Sequence, residues 1–259
     1  MSSSRVALVT GSTSGIGLAI ARALAQAGHA VVLNGLGEPA QIEAIRAELA
    51  ASGTTIDYDP ADMSRPAEIE AMVRTAEQRH GRIDLVVANA GIQHTARVEV
   101  FPLERWDAIL AINLSAAFHL ARAVLPGMRT RGHGRIINIA SVHGLVASVD
   151  KSAYVAAKHG LVGLTKVIAL ENADLDITCN AICPGWVRTP LVEKQILARA
   201  EREGLSLDAA QRALLAEKEP TLRFTAVEDI AAAVIFLAGP AGANITGTTL
   251  ALDGGWTAR

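Results

Sequence analysis

Aromatic side chains make up only 3% of this 259-residue sequence. That excludes a core built on stacked rings and leaves Ala, Val, Ile and Leu to fill it, side chains that suit a parallel sheet packed between close helices. Charge of either sign is not in excess: 24 Lys and Arg stand against 26 Asp and Glu, and no basic run makes the electrostatic footprint of a nucleic-acid binder. Nucleic acid is therefore not expected as a partner. No apolar run approaches the ~20 residues of a membrane span, and Met1 to Arg5 lead into an apolar strand without a signal-peptide hydrophobic region. The expectation is no membrane partner and a cytoplasmic location. Cysteine is nearly absent. Cys179 and Cys183 share one strand-like run, where a rise of about 3.3 Å per residue sets them roughly 13 Å apart, beyond the ~7 Å ceiling of a disulfide. Both read as small buried hydrophobes, and no metal is expected.

What is present is regular. Hydrophobic residues make up 50% and charged residues 19%, a balance that fits one globular domain over residues 1–259. Strand-like runs at Val6 to Thr10, Ala30 to Asn34, Thr54 to Tyr58, Leu85 to Asn89, Arg135 to Ser141, Ile177 to Cys183 and Thr249 to Asp253 alternate with helical stretches. The helices run at Gly15 to Ala27, Pro39 to Ala51, Pro66 to His80, Leu103 to Arg131, Ser152 to Asn172 and Val227 to Ala238. This alternation predicts an α/β fold, a single-domain Rossmann-type doubly wound seven-stranded parallel sheet. Residues 191–220, rich in Glu, Lys, Arg and Gln, break the rhythm. They read as a helical insertion that closes over the site as a substrate lid, or as a solvated helical hairpin.

The first strand runs into Thr10-Gly11-Ser12-Thr13-Ser14-Gly15-Ile16-Gly17, after which a helix begins. Glycines there let the backbone turn sharply and approach a diphosphate held by helix N-terminal N–H groups. The spacing Gly-x-x-x-Gly-x-Gly, followed in order by Asp62-Met63, Asn89-Ala90-Gly91 and Pro184-Gly185-Trp186-Val187-Arg188-Thr189, resembles the short-chain dehydrogenase/reductase family along the whole chain. The resemblance implies that Asp62 and Met63 flank an adenine, that Asn89 to Gly91 back the cofactor, that Pro184, Gly185 and Val187 adjoin it, and that Thr189 contacts the nicotinamide amide. Asn89 can equally cap its strand without conflict. The end of the second strand, Asn34-Gly35-Leu36-Gly37, carries neither a ribose-binding acid nor a basic side chain for a 2′-phosphate, and Ser14 stands where a Lys or Arg would mark NADP. NAD is the expected cofactor.

Tyr154-Val155-Ala156-Ala157-Lys158 puts a phenol and an ammonium one helical turn apart. A nearby cation favours the phenolate and brings a poor base toward the working range. Ser141 stands thirteen positions earlier, in the family's spacing, placed to bond the substrate oxygen. Asn113, a poor helix former inside a long helix, implies by the same resemblance a water-mediated proton relay through Lys158. The expected catalytic set is Asn113, Ser141, Tyr154 and Lys158. Gln93, His143 and Lys151 adjoin these motifs and Gln195 opens the insertion: two amides, an imidazole and an ammonium without an acid, which suits a small carboxylate. They point to a short hydroxy acid as substrate, and the resemblance implies that Trp186 and Leu145 wall its pocket. Competing expectations are an NADPH-dependent 3-oxoacyl-carrier-protein reductase and a non-catalytic dinucleotide-binding protein of the same fold. The family resemblance also implies a homotetramer, built on the two long helices.

Overall fold

The strands β1 (Val6–Val9), β2 (Ala30–Asn34), β3 (Ile56–Asp59), β4 (Leu85–Ala88), β5 (His133–Ile139), β6 (Asp176–Pro184) and β7 (Thr249–Leu252) form one sheet in a computed structural model that describes residues 5–188 and 190–258. All neighbours pair in parallel, in the order β3-β2-β1-β4-β5-β6-β7. The doubly wound seven-stranded sheet is the one the alternating pattern predicts.

Both faces of the sheet are covered, which explains why its strands read as unbroken apolar runs. Ala7 and Val9 point to one side, against Ile20 and Leu24 of α1 (Gly15–Gln26) and against Ile230 and Val234 of a C-terminal helix (Val227–Ala238). Val6 and Leu8 point to the other, against Ile69 and Met72 of α3 (Pro66–His80), with α2 (Pro39–Ala50) lying between α1 and α3 in sequence. Pro39 and Pro66 each occupy an early helical position, where a missing N–H costs nothing.

The 29-residue helix Leu103–Arg131 is interrupted. It consists of α4 (Leu103–Leu110), a π-helical turn (Ala111–Ser115) and α5 (Ala116–Arg131), whose Leu120, Val124 and Met128 also enter the second core. This helix and α6 (Ser152–Glu171) are long and apolar enough, by length and composition alone, to cross a membrane. That corrects the expectation that no stretch reaches that length. Each instead lays an apolar face on the protein core and carries buried polar groups, Asn113 on one and Lys158 on the other.

Cys179 and Cys183 lie in β6, buried and unpaired. Burial pushes both thiols up, to about 12 and about 11. The insertion forms α7 (Pro190–Glu203) and α8 (Leu207–Ala216), which precede the C-terminal helix, now α9 (Val227–Ala238). It is more than a solvated hairpin. Val192, Ile196, Ala210 and Leu214 bury a small apolar core of their own against Trp186 and Phe224, and Arg199 clamps Glu203 and Glu217 from the outside. The chain leaves β1 toward β2 and leaves β4 toward β5, so a crevice opens at the C-terminal ends of β1 and β4, where sheets of this kind bind ligands.

Candidate active site

A cavity of about 670 Å³ occupies that crevice. At one end lies the turn from β1 into α1. Ser12, buried, donates to the Val9 carbonyl (2.8 Å) and accepts from Asn34 N–H (3.0 Å). Asn89 donates to the carbonyls of Thr10 (2.9 Å) and Gly11 (3.1 Å), and Thr10 Oγ1 accepts from the N–H groups of Asn89 and Ala90. Asn89 is thus the clamp of the turn as well as part of the cavity wall. Gly11 has φ +62°, and a Cβ there would lie 2.9 Å from Ala90 Cα, while one on Gly17 would lie 2.2 Å from the Gly11 carbonyl oxygen. Ser14 makes no side-chain cap and no acid stands in the first turn of α1, so its N–H groups are left to an anion. This bare helix terminus facing a roomy cleft fits a dinucleotide diphosphate.

Thr13, Ser14, Gly15, Ile16, Leu36, Asp62, Met63, Ala90 and Gly91 line the same cavity. Leu36 is exposed, its carbonyl accepting from Thr13 Oγ1 (3.0 Å), and Tyr58 donates to the Gly35 carbonyl (2.7 Å). Asp62 accepts from the Ser64 backbone and hydroxyl, which hold its carboxyl below the usual range. Arg65, the guanidinium beside it, is shared between Asp62 (3.6 Å) and Glu68 (3.4 Å).

Toward the other end the cavity is walled by Gln93, Ser141, His143, Lys151, Tyr154, Lys158, Pro184, Gly185, Trp186, Val187 and Gln195. Of the residues expected in the site from sequence, Thr189 falls outside the described residues and Leu145 does not reach the cavity, packing instead beside Ala140 and Leu161. Asn113 is the third exception. It is 2% exposed and sits behind the wall in the π turn, where its amide donates to the Ile92 carbonyl and accepts from Ile92 N–H, both at 2.9 Å. The amide expected to hold a water is committed to the Ile92 backbone, and so fixes the loop that carries Gln93. Between Asn113 and Lys158 lies a second cavity of about 10 Å³, also lined by Thr10 and Ile112, close to the size of one water.

Ser141 lies just past β5 and accepts from His143 N–H (3.1 Å). The His143 ring stands edge-on to Tyr154 (5.9 Å) and Trp256 (5.4 Å), its nitrogens 3.3 Å from Ser141 Oγ and 3.0 Å from Ser148 Oγ. Burial, with the charges of Lys151 and Lys218, drives its pKa down to about 3, so the ring is neutral and contributes hydrogen bonding. Lys158, 3% exposed, points its ammonium 5.7 Å from the Tyr154 ring centre and donates to the Ile139 carbonyl (2.8 Å). Burial lowers it to about 8 and raises the Tyr154 phenol, against which the Ser141 hydroxyl pulls the other way. The net direction for the phenol is thus opposite to the one expected from a lysine one turn away. Desolvation outweighs the Ser141 hydrogen bond, and the Lys158 ammonium is directed at the Ile139 carbonyl.

Lys151 follows Asp150, whose φ of +63° is rare for a residue with a Cβ. The Asp150 carbonyl accepts from Ala96 N–H (3.0 Å), and this turn lifts the Lys151 ammonium over the Trp186 ring, 5.5 Å from its centre. Two neighbours escaped the sequence reading. Glu219, fully buried, accepts from Trp186 N–H and leaves its second oxygen without a hydrogen-bond partner; burial raises it to about 7. Lys218 places its ammonium over the Trp256 ring, 5.6 Å from its centre. Both sit one turn after the buried Leu214 and Leu215, a periodicity that a charged Glu-Lys-Glu string conceals. Among the described residues no group of three His, Cys, Asp or Glu could hold a metal.

A glycine turn at a bare helix terminus, joined by one cleft to a Ser-Tyr-Lys group, defines a dinucleotide-dependent oxidoreductase. The chain belongs to the short chain dehydrogenase family, whose profile matches residues 5–200 and whose members bind a nicotinamide dinucleotide. It is 54% identical, over the full length of both chains, to the D-beta-hydroxybutyrate dehydrogenase of Cupriavidus necator. To the D-beta-hydroxybutyrate dehydrogenase of Rhizobium meliloti it is 51% identical, over 98% of this chain and 99% of the relative. Among solved structures, a variant of actinorhodin polyketide ketoreductase with NADPH superimposes with a TM-score of 0.91 at 37% identity, covering 99% and 98% of the two chains.

Proposed function

We propose that this protein interconverts (R)-3-hydroxybutyrate and acetoacetate with NAD as its cofactor. The observation that carries the substrate is the Lys151 ammonium, half-buried over Trp186 in the same cavity as Tyr154, a cavity that Gln93, His143 and Gln195 also line with groups able to bond a carboxylate. The two relatives named for hydroxybutyrate support this reading.

Gly11, Gly15 and Gly17, with the first turn of α1, would hold the diphosphate, Leu36, Asp62 and Met63 the adenosine, and Asn89 to Gly91, Lys158 and Pro184 to Val187 the nicotinamide half. When bound, the nicotinamide accepts the hydride that leaves the carbinol carbon. Ser141 Oγ holds the substrate oxygen, and the Tyr154 phenolate oxygen takes its proton as the carbonyl forms. Lys158, when charged, favours that phenolate, and the water-sized cavity beside Asn113 offers the proton a way inward. Trp186, Trp256 and the α7–α8 hairpin wall the pocket against solvent. The NADPH in the ketoreductase structure favours a second reading, an NADPH-dependent reductase. Against it, Leu36 offers a 2′-phosphate no charge, and Arg65 is already shared by two carboxylates. The exposed Phe118, Val167 and Leu170 on the two long helices support a homotetramer as part of the same proposal.

Initial rates with (R)- and (S)-3-hydroxybutyrate, each with NAD and with NADP, test the reading. Turnover of the R enantiomer with NAD at least about tenfold above the other three combinations is expected. Equal rates with NADP would reject the cofactor, and no turnover of either enantiomer would reject the substrate.

A further inference from the structure

Lys151 is not the only cation at the carboxylate end. Lys218 stands near the end of the insertion, just beyond α8, with its ammonium 5.6 Å from the centre of the Trp256 ring. Lys151 stands in the same relation to Trp186 at 5.5 Å, and the two indoles lie 5.9 Å apart, tilted by 33°. Two ammonium groups therefore flank one aromatic floor. Each cation–π contact tolerates a charge without neutralising it.

Two buried acids stand nearby, Glu219 with one oxygen left without a hydrogen-bond partner, and Asp253. Glu219 turns inward to Trp186 N–H, and Asp253 accepts from Gly255 N–H, Thr257 N–H and the Thr257 hydroxyl. Among the described residues neither ammonium is ion-paired to a carboxylate, whereas Arg199 of the same hairpin binds two. His143, which lines the cavity with Lys151, is neutral. The charge of Lys218 is felt at both Lys151 and His143, where it opposes a further positive charge. An unpaired, mutually repelling pair of cations is a standing attraction for an anion.

We propose that Lys218 is the second cation of the carboxylate subsite, an electrostatic specificity residue carried by the insertion that selects anionic over neutral substrates. It follows that the α7–α8 hairpin contributes charge as well as cover, and that the preference for a hydroxy acid over a neutral secondary alcohol is divided between two lysines. The inference rests on the hydroxy-acid reading of the site, and its test is separable from that reading.

The test uses the full-length protein in its wild-type, Lys218→Met and Lys218→Arg forms. Calorimetric titration with NAD present measures affinity for butyrate and for its neutral isostere butyramide, and steady-state rates give KM for (R)-3-hydroxybutyrate. Met keeps the packing on Trp256 and removes only the charge. Lys218→Met is expected to weaken butyrate and raise KM by about three- to tenfold, to fall less heavily on kcat, and to leave butyramide unaffected; Lys218→Arg is expected to restore most of the loss. Equal weakening of butyrate and butyramide would reveal a packing role and overturn the proposal, as would unchanged butyrate affinity or a wild-type protein that binds butyrate no better than butyramide. Butyrate binding that depends on Lys218 in a protein inert toward 3-hydroxybutyrate would sustain the proposal and reject the substrate reading. Turnover with butyrate affinity unchanged in Lys218→Met would do the reverse.

Discussion

The side chain of Asn113 and the backbone of Ile92 exchange two hydrogen bonds of 2.9 Å, one in each direction. The pair joins the π turn of the long helix to the loop after β4. Through it, a residue that does not line the main cavity sets the position of residues that do, Gly91 and Gln93.

Asn113→Ala is therefore expected to leave both Ile92 groups short of a partner and to cost about 1–3 kcal/mol, a drop of several degrees in Tm for a chain of this size. Because the loop carries cofactor- and substrate-facing groups, turnover should fall along with stability. Thermal unfolding and initial rates of the same preparation check both. A variant with unaltered Tm would show that the exchange contributes nothing.

Lys158 and Tyr154 respond to burial in opposite senses, the ammonium down to about 8 and the phenol up. Alcohol oxidation needs the phenolate, so its kcat/KM is expected to rise with pH across the neutral range, while ketone reduction falls. Below about 8 Lys158 is charged, and a cation this close favours the phenolate; removing it leaves desolvation opposed only by the Ser141 hydrogen bond. Lys158→Met should thus move the rising limb of the oxidation profile to higher pH. Profiles that coincide would separate Lys158 from the acid–base step.

Glu219 is an acid whose folded-state value, about 7, lies above its ordinary 4.5. Between those values the folded protein keeps a proton that the unfolded chain releases. The stability this group contributes is fully present below 4.5 and is lost as pH rises through 7. Glu219→Gln, a neutral isostere of the protonated acid, should match wild type near pH 5 and exceed it above pH 7, by roughly 1–3 kcal/mol. Tm measured against pH for the two proteins is the check, and parallel curves would contradict it.

Much of the architecture is legible in the sequence because it rests on local rules. Apolar runs of strand length alternate with helices opened by Pro39 and Pro66, and β2, α3 and α9 fall on the residues that pattern marks. The turn from Gly11 to Gly17 is legible for the same reason: its glycines answer to backbone geometry, which close approaches at Gly11 and Gly17 now explain. The relations that depend on three dimensions are not legible. Asn113 reads as an awkward helix residue, and its partner Ile92 lies 21 positions away. The direction of the Tyr154 shift is hidden because it turns on desolvation, which spacing along a helix does not report. Lys218 and Glu219 sit in a charged string that resembles a solvated surface, yet one faces Trp256 and the other is buried beneath Trp186.

The central claim is that the Tyr154 oxygen moves the proton in a nicotinamide-dependent oxidation of (R)-3-hydroxybutyrate. Its most direct test is the rate of NADH appearance from NAD and (R)-3-hydroxybutyrate in wild type and Tyr154→Phe, with NADH affinity measured on both. A fall in kcat of about a hundredfold or more with NADH affinity nearly unchanged is expected. Undiminished turnover by Tyr154→Phe would contradict it.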